Sequence, residues 1–190
     1  MLTATLKPKA CAFCKSAFMP VRPMQRVCSP TCARRTVEAD KKAEKAQIKA
    51  RKRDLETVPQ LIKEAQHEFN AYRRLADKIA GHPCISCGRP LNWGTEGGSH
   101  QVDCGHYRST GSASHLRFDE DNAHAQCVNC NRYGAGRAVD YRLGLIARIG
   151  LERVERLEAA NDVVKWDRDT LRQIKTIYRA KLRDLKKERS

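Results

Sequence analysis

Cysteine supplies the first chemistry this chain could perform. Cys11-x2-Cys14 and Cys28-x3-Cys32 form one quartet, and Cys84-x2-Cys87 with Cys127-x2-Cys130 forms a second. A CxxC pair can turn both thiolates toward a single ion, and two pairs complete a tetrahedral site. Four soft ligands with no open position point to structural Zn2+ rather than a catalytic metal. In the first quartet Pro20, Pro23 and Pro30 exclude a helix, so metal binding would supply much of the folding free energy of a short knuckle. The second quartet brackets a long insert, whose ends its zinc would clamp. Cys104 is left over and reads as a small buried apolar residue. Paired cysteines of this kind suit a reducing compartment. The start, Met1 to Lys7, lacks the apolar stretch of a signal peptide, and no run is long enough to span a bilayer, so a cytoplasmic location is expected.

The insert carries Asp103-Cys104-Gly105-His106, then Asn122-Ala123-His124, and Cys127-Val128-Asn129-Cys130-Asn131. Here the sequence resembles the HNH, or ββα-metal, nucleases that carry zinc knuckles. His106 matches the histidine that closes their first strand, Asn122 their central asparagine, and the CxxCN string the start of their helix. Over nearly the whole chain, most densely from Cys84 to Gly150, the sequence also looks like the NinG/Rap recombination proteins of lambdoid phages. That resemblance implies a structure-specific endonuclease acting on branched DNA, such as four-way junctions and D-loops, in company with phage recombination proteins in the host cytoplasm. Two places depart from the HNH pattern. Gly105 stands where an acid or histidine often precedes the base, and the run Arg132 to Arg137 lacks the usual helix-borne ligand.

Phosphodiester hydrolysis needs a water deprotonated near neutral pH, for which neutral imidazole is suited, and His106 is the candidate base. The departing oxygen gains negative charge, which Mg2+ or Mn2+ would stabilise as a Lewis acid. Asp103 and Asn122 are candidate oxygen ligands, and His124 is either a third ligand or a phosphate contact. The structural alternatives are a hydrogen-bonded His106, Asp103 capping the turn at Gly105, and Asn122 as an Asx-turn residue.

Charge favours a polyanionic partner. Lys and Arg total 37 against 22 Asp and Glu, a net of +15, and neutralising phosphates releases counterions. Arg108, Arg117, Arg132 and Arg137 are candidate DNA contacts near the insert. A basic arm, with nine cations against three acids over Ala33 to Arg53, and the C-terminal Lys175, Arg179, Lys186 and Lys187 would add contacts to the backbone. No helix face gathers the Asn, Gln and Arg of base readout, so DNA shape would be read over sequence. A non-catalytic zinc protein that binds branched DNA explains the charge and cysteines but leaves His106 and Asn122 without a role. An RNA-binding, ribosome-associated zinc protein gives the insert no role either.

These residues need scaffolding, and few aromatics (6%) against 31% charged residues leave a small core. Ala33 to Leu55 reads as either a solvated helix or a disordered arm. Thr57 and Pro59 open a helix whose face is Leu61, Ile62, Ala65, Phe69, Tyr72, Ala76 and Ile79, ended by Gly81 and Pro83. Short strands are expected near 101–107 and 124–127. A helix should start soon after Cys130 with Val139, Leu143, Ile146 and Ile149 inward, then a further turn or two through Val154 and Leu157. The last helix spans about 169–187, with the stripe Leu171, Ile174, Tyr178, Leu182 and Leu185. That stripe suits either a homodimer seam or packing on the helix that begins at Thr57. The fold class is thus α+β and mostly helical, with a small HNH-like zinc-clamped core. Its segments are an N-terminal four-cysteine zinc knuckle (1–36), a basic linker and helix (37–80), the core (81–150) and C-terminal basic helices (151–190).

Overall fold

The computed structural model describes residues 7–94 and 101–188. The chain forms two compact units, Met1–Glu56 and Thr57–Ser190. In the first, β1 (Lys9–Ala10) pairs antiparallel with β2 (Ala17–Phe18), and the turn between them carries Cys11 and Cys14. α1 (Pro30–Leu55) then runs unbroken from the second cysteine pair. Ser29 caps it, its side chain accepting from the Cys32 N–H at 3.2 Å, and proline occupies the first turn, where no N–H is needed. α1 buries no residue. The basic arm is therefore a helix, formed from strong helix formers and anchored at its N-terminus by the knuckle.

The second unit is organised by α2 (Val58–Ile79) and α5 (Arg168–Lys187). α2 opens with a capping box between Thr57 and Gln60, α5 with Asp167 accepting from the N–H groups of Asp169 and Thr170. Leu61 and Ala65 of α2 pack with Leu171 of α5, and Phe69 with Tyr178, ring centroids 4.8 Å apart. The C-terminal stripe is thus spent on α2 over this length. Lys175 and Arg179 form ion pairs with Glu64 and Glu68 across the same seam.

β3 (Val102–His106) pairs antiparallel with β4 (Ala123–Cys127), and a 3-10 turn, Ser114–Leu116, lies in the connection. Beyond β4 the chain makes a π-helical turn, Asn129–Tyr133, before α3 (Ala138–Ile149) and α4 (Leu151–Ala159). A single helix from Cys130 was expected. Ala135, Gly136 and Arg137 instead adopt positive φ and break it. The face of α3 also differs from expectation. Val139 and Leu143 are 76% and 62% exposed, whereas Tyr141 and Leu145 are buried with Ile85, Leu116, Val154 and Leu157. Ile146 and Ile149 line the margin of that core. Gly144 explains the rotation. A Cβ there would stand 1.9 Å from the Ile85 carbonyl oxygen, so the helix approaches that backbone through its glycine.

The architecture is mostly helical α+β with two small two-stranded sheets. No described helix is long and apolar enough to cross a membrane.

Candidate active site and zinc clusters

Both cysteine quartets converge. Within each, four sulfurs lie within 4.8 Å of one another. Neighbouring sulfurs are 3.6 Å apart for Cys14–Cys28 and Cys28–Cys32, and 3.7 and 4.0 Å for Cys84–Cys127 and Cys87–Cys127. Zn–S bonds of about 2.3 Å in a tetrahedron put sulfurs about 3.8 Å apart, whereas a disulfide needs about 2.05 Å. Backbone N–H groups of Cys28 and Cys127 point at the sulfurs of Cys11 and Cys84, at 3.4 and 3.3 Å, as thiolate ligands would require. Two four-cysteine clusters of this geometry are consistent with two zinc sites. The second joins the loop before β3 to the end of β4, and Arg137 brings Nη1 to 4.0 Å from the Cys130 sulfur.

His106 closes β3 and lines a cleft of about 520 Å³ with Tyr107, Ser109, Thr110, Asn131 and Gly136. Its Nε2 lies 3.2 Å from the Arg117 carbonyl oxygen. A carbonyl only accepts, so this contact is a hydrogen bond in the tautomer that carries its proton on Nε2. Burial pushes the imidazole pKa down to about 4, against the opposing pull of that carbonyl. The ring is neutral at pH 7, the state a general base requires. Gln66 of α2 stands 3.5 Å from Nε2, and the Phe69 ring packs beside the imidazole at 6.1 Å.

The three candidate ligands of a divalent cation do not gather around this histidine. The register pairs Gly105 with His124 and His106 with Ala123, so the two histidines project from opposite faces of the ladder. Asn122 is fully buried. Its amide oxygen accepts from the Arg108 N–H at 2.8 Å, and its amide nitrogen donates to the carbonyls of Arg108 and Leu116. It clamps the loop that follows His106, a role the ligand expectation missed. His124, 3% exposed, uses both ring nitrogens, Nε2 on the Asp121 carbonyl (3.2 Å) and Nδ1 toward Arg73 (3.2 Å) and Asp77 (3.6 Å). Burial lowers its pKa in spite of Asp77. Asp103 is held by the Arg132 guanidinium at 2.7 and 2.8 Å and by the Asn131 amide at 2.9 Å. Burial raises its pKa, but these partners hold it below the usual carboxylate range. The expected Mg2+ or Mn2+ site is therefore not assembled from these residues. Among the described residues, the two cysteine quartets are the only groups of three or more metal-binding side chains close enough to share an ion.

The arginines divide in the same way. Arg108 donates to the carbonyls of Leu157 (2.9 Å), Glu158 and Ala160, so it caps the C-terminus of α4 instead of facing solvent as a DNA contact. Arg117 bridges Gln66 and the Thr110 carbonyl, and its buried Nε has no hydrogen-bond partner. Arg132 and Arg137, paired with Asp103 and Asp140, remain at the surface.

A second polar centre was absent from the sequence reading. Asp77, 2% exposed, receives the Ala125 N–H at 2.6 Å and lies within 3.5 Å of Arg73, His82 and Arg148. Burial works against its ionised form, and His124, the Ala125 N–H and Arg73 overcome it, holding the pKa well below the usual range. With Arg73 donating to the Ala123 carbonyl, α2 satisfies the free edge of β4. The signal lay in an i+4 row: Leu61, Ala65 and Phe69 continue into Arg73 and Asp77.

Two four-cysteine clusters consistent with zinc sites and a neutral histidine at a polar cleft define a mostly helical α+β protein. Comparison with known proteins places it more narrowly. The family model described as "Bacteriophage Lambda NinG protein" matches residues 3–188. "Protein ninG" of Escherichia phage 933W is 39% identical over 202 residues, covering 96% of each chain. The proteins of the same name from Escherichia phage lambda and Salmonella phage P22 are each 39% identical over 197 residues, covering 93% of this chain and 92% of their own. The chain belongs to the NinG family of lambdoid phages. No solved structure matches it.

Proposed function

We propose that the chain is an endonuclease that cuts branched DNA during phage recombination, in the host cytoplasm, with His106 as general base. The supporting observation is a neutral His106 at an open polar cleft. Its pKa is near 4, its Nε2 lies beside the Arg117 carbonyl, and the ring lines the cleft. Nδ1 would take a proton from water as the water attacks phosphorus, and the leaving 3′ oxygen would depart with negative charge. The hydroxyls of Ser109 and Thr110, which line the cleft, would hold the phosphate. The ββ ladder leading through Cys127 and Cys130 into a helical turn also suits an HNH-like core, with Asn122 clamping the loop behind the base.

A divalent cation would supply Lewis-acid stabilisation of the leaving oxygen. Asp103, Asn122 and His124 are already committed elsewhere, so no step is assigned to such an ion. That commitment favours a second reading, a zinc protein that binds branched DNA and leaves the cutting to a recruited nuclease.

The test is cleavage of labelled four-way junction, D-loop and plain duplex in magnesium or manganese, wild type beside His106→Ala. Zinc content and DNA binding are measured for both. Wild-type cutting of the branched substrates, with a variant that binds but does not cut, supports the nuclease. Tight binding with no cutting under either ion selects the recruiting protein.

A further inference from the structure

A second concave site lies at the start of β3, where Arg74 and Lys78 of α2, Asn92, Trp93, Gln101 and Asp103 surround an open pocket of about 360 Å³. Trp93 is half-buried there, with the Lys78 ammonium over its ring at 5.9 Å from the centroid. Arg74 and Lys78 stand one helical turn apart on one face of α2. Neither forms an ion pair or side-chain hydrogen bond among the described residues, and Arg74 reaches Asp103 only through its field.

A flat aromatic ring, two cations outside any ion pair and the amides of Asn92 and Gln101 form the combination that holds a base and its phosphate. The ring stacks on any base, the cations meet the backbone, and the amides reach the base edge. At about 360 Å³ the pocket is near the lower size limit of small-molecule sites, room for one base and not for a length of duplex. From Asp103 to His106 the strand rises about 10 Å, the span of about three stacked nucleotides. We propose that this pocket receives one unpaired nucleobase of the DNA strand, stacked on Trp93, with Arg74 and Lys78 on the adjoining phosphates. It rests on the DNA reading above and gives it a means of recognising those branches, such as a D-loop, that expose unpaired nucleotides where plain duplex does not.

The chain has two tryptophans, and Trp166 packs edge-on against Phe118 with its indole N–H buried and unpartnered. Trp166→Phe therefore leaves Trp93 as the sole indole reporter. Its fluorescence is followed while oligothymidylate, a junction with unpaired nucleotides at the crossing, or duplex is added, and anisotropy of labelled DNA reports binding separately. If Trp166→Phe loses zinc or helix content, the difference between wild-type and Trp93→Phe emission gives the same signal. Quenching that saturates in step with binding is expected for the first two substrates. Trp93→Ala should weaken them about tenfold, Trp93→Phe much less, and duplex affinity should stay within about twofold. Binding without quenching, or an equal loss on duplex, overturns the assignment. Thymidine monophosphate quenching as strongly as the oligomer overturns it too, in favour of a free-nucleotide pocket. If no DNA binds by anisotropy, the DNA reading itself has failed, and this site with it.

Discussion

At the scale of single residues, several polar side chains expected to do chemistry hold the structure in place. Asn122 is the clearest case, with three hydrogen bonds and no exposed surface. Asn122→Ala should cost about 2–3 kcal/mol, because the buried Arg108 and Leu116 backbone groups lose their partner, and urea unfolding measures it. Arg108→Ala should cost about 1–2 kcal/mol through the uncapped end of α4, while DNA affinity measured by anisotropy stays unchanged. His106 carries a pH signature. Its folded pKa near 4 lies below the roughly 6.5 of the unfolded chain, so between those values the unfolded state binds more protons. The stability it contributes is whole above about pH 6.5 and is lost as pH falls toward 4. Denaturant midpoints for wild type and His106→Gln should therefore converge on acidification from pH 7.5 to 4.5. A fixed offset between them across that range would contradict the neutral, buried imidazole.

At the scale of elements, the two histidines are separated by one residue of register. Pairing His106 with Ala123 and Gly105 with His124 sends one imidazole toward Phe69 and the other to the Asp77 centre. The α2 helix serves both, with Gln66 and Phe69 beside His106 and Arg73 and Asp77 beside His124. Gly144 is the contact that sets the phase of α3. Gly144→Ala should destabilise the second unit by about 3 kcal/mol, because the clashing atom is backbone and cannot swing away, and thermal unfolding would register it. An unchanged midpoint would mean that α3 does not approach Ile85 so closely.

At the scale of the whole molecule, each four-cysteine cluster is confined to one compact unit. The protein should bind two equivalents of zinc, and Cys11→Ser or Cys84→Ser should each remove one, as measured by metal analysis. Loss of the first should disorder the knuckle while sparing the α2–α5 pair. Loss of the second should free the end of β4 and, with it, the setting of His106. Loss of both ions from either variant would show that the units depend on each other.

The sequence by itself determined whatever rests on local spacing. CxxC pairs, Thr57 at a helix start, and the apolar spacing from Leu61 to Ile79 and from Leu171 to Leu185 are short-range signals. The two quartets, α2 and α5 follow from them. The family likeness was also legible, because its landmarks are contiguous strings. Tertiary structure decided which polar atoms remain free to act. Spacing places Asp103, Asn122 and His124 near His106 along the chain. It says nothing of Arg132 arriving from the next turn, of Arg108 reaching α4, or of Asp77 arriving from α2 to hold His124. Those partners lie 29 to 52 positions away in sequence. Because a polar group that loses water takes whichever partner the fold brings within reach, its role is settled by packing and cannot be read from its neighbours in the chain.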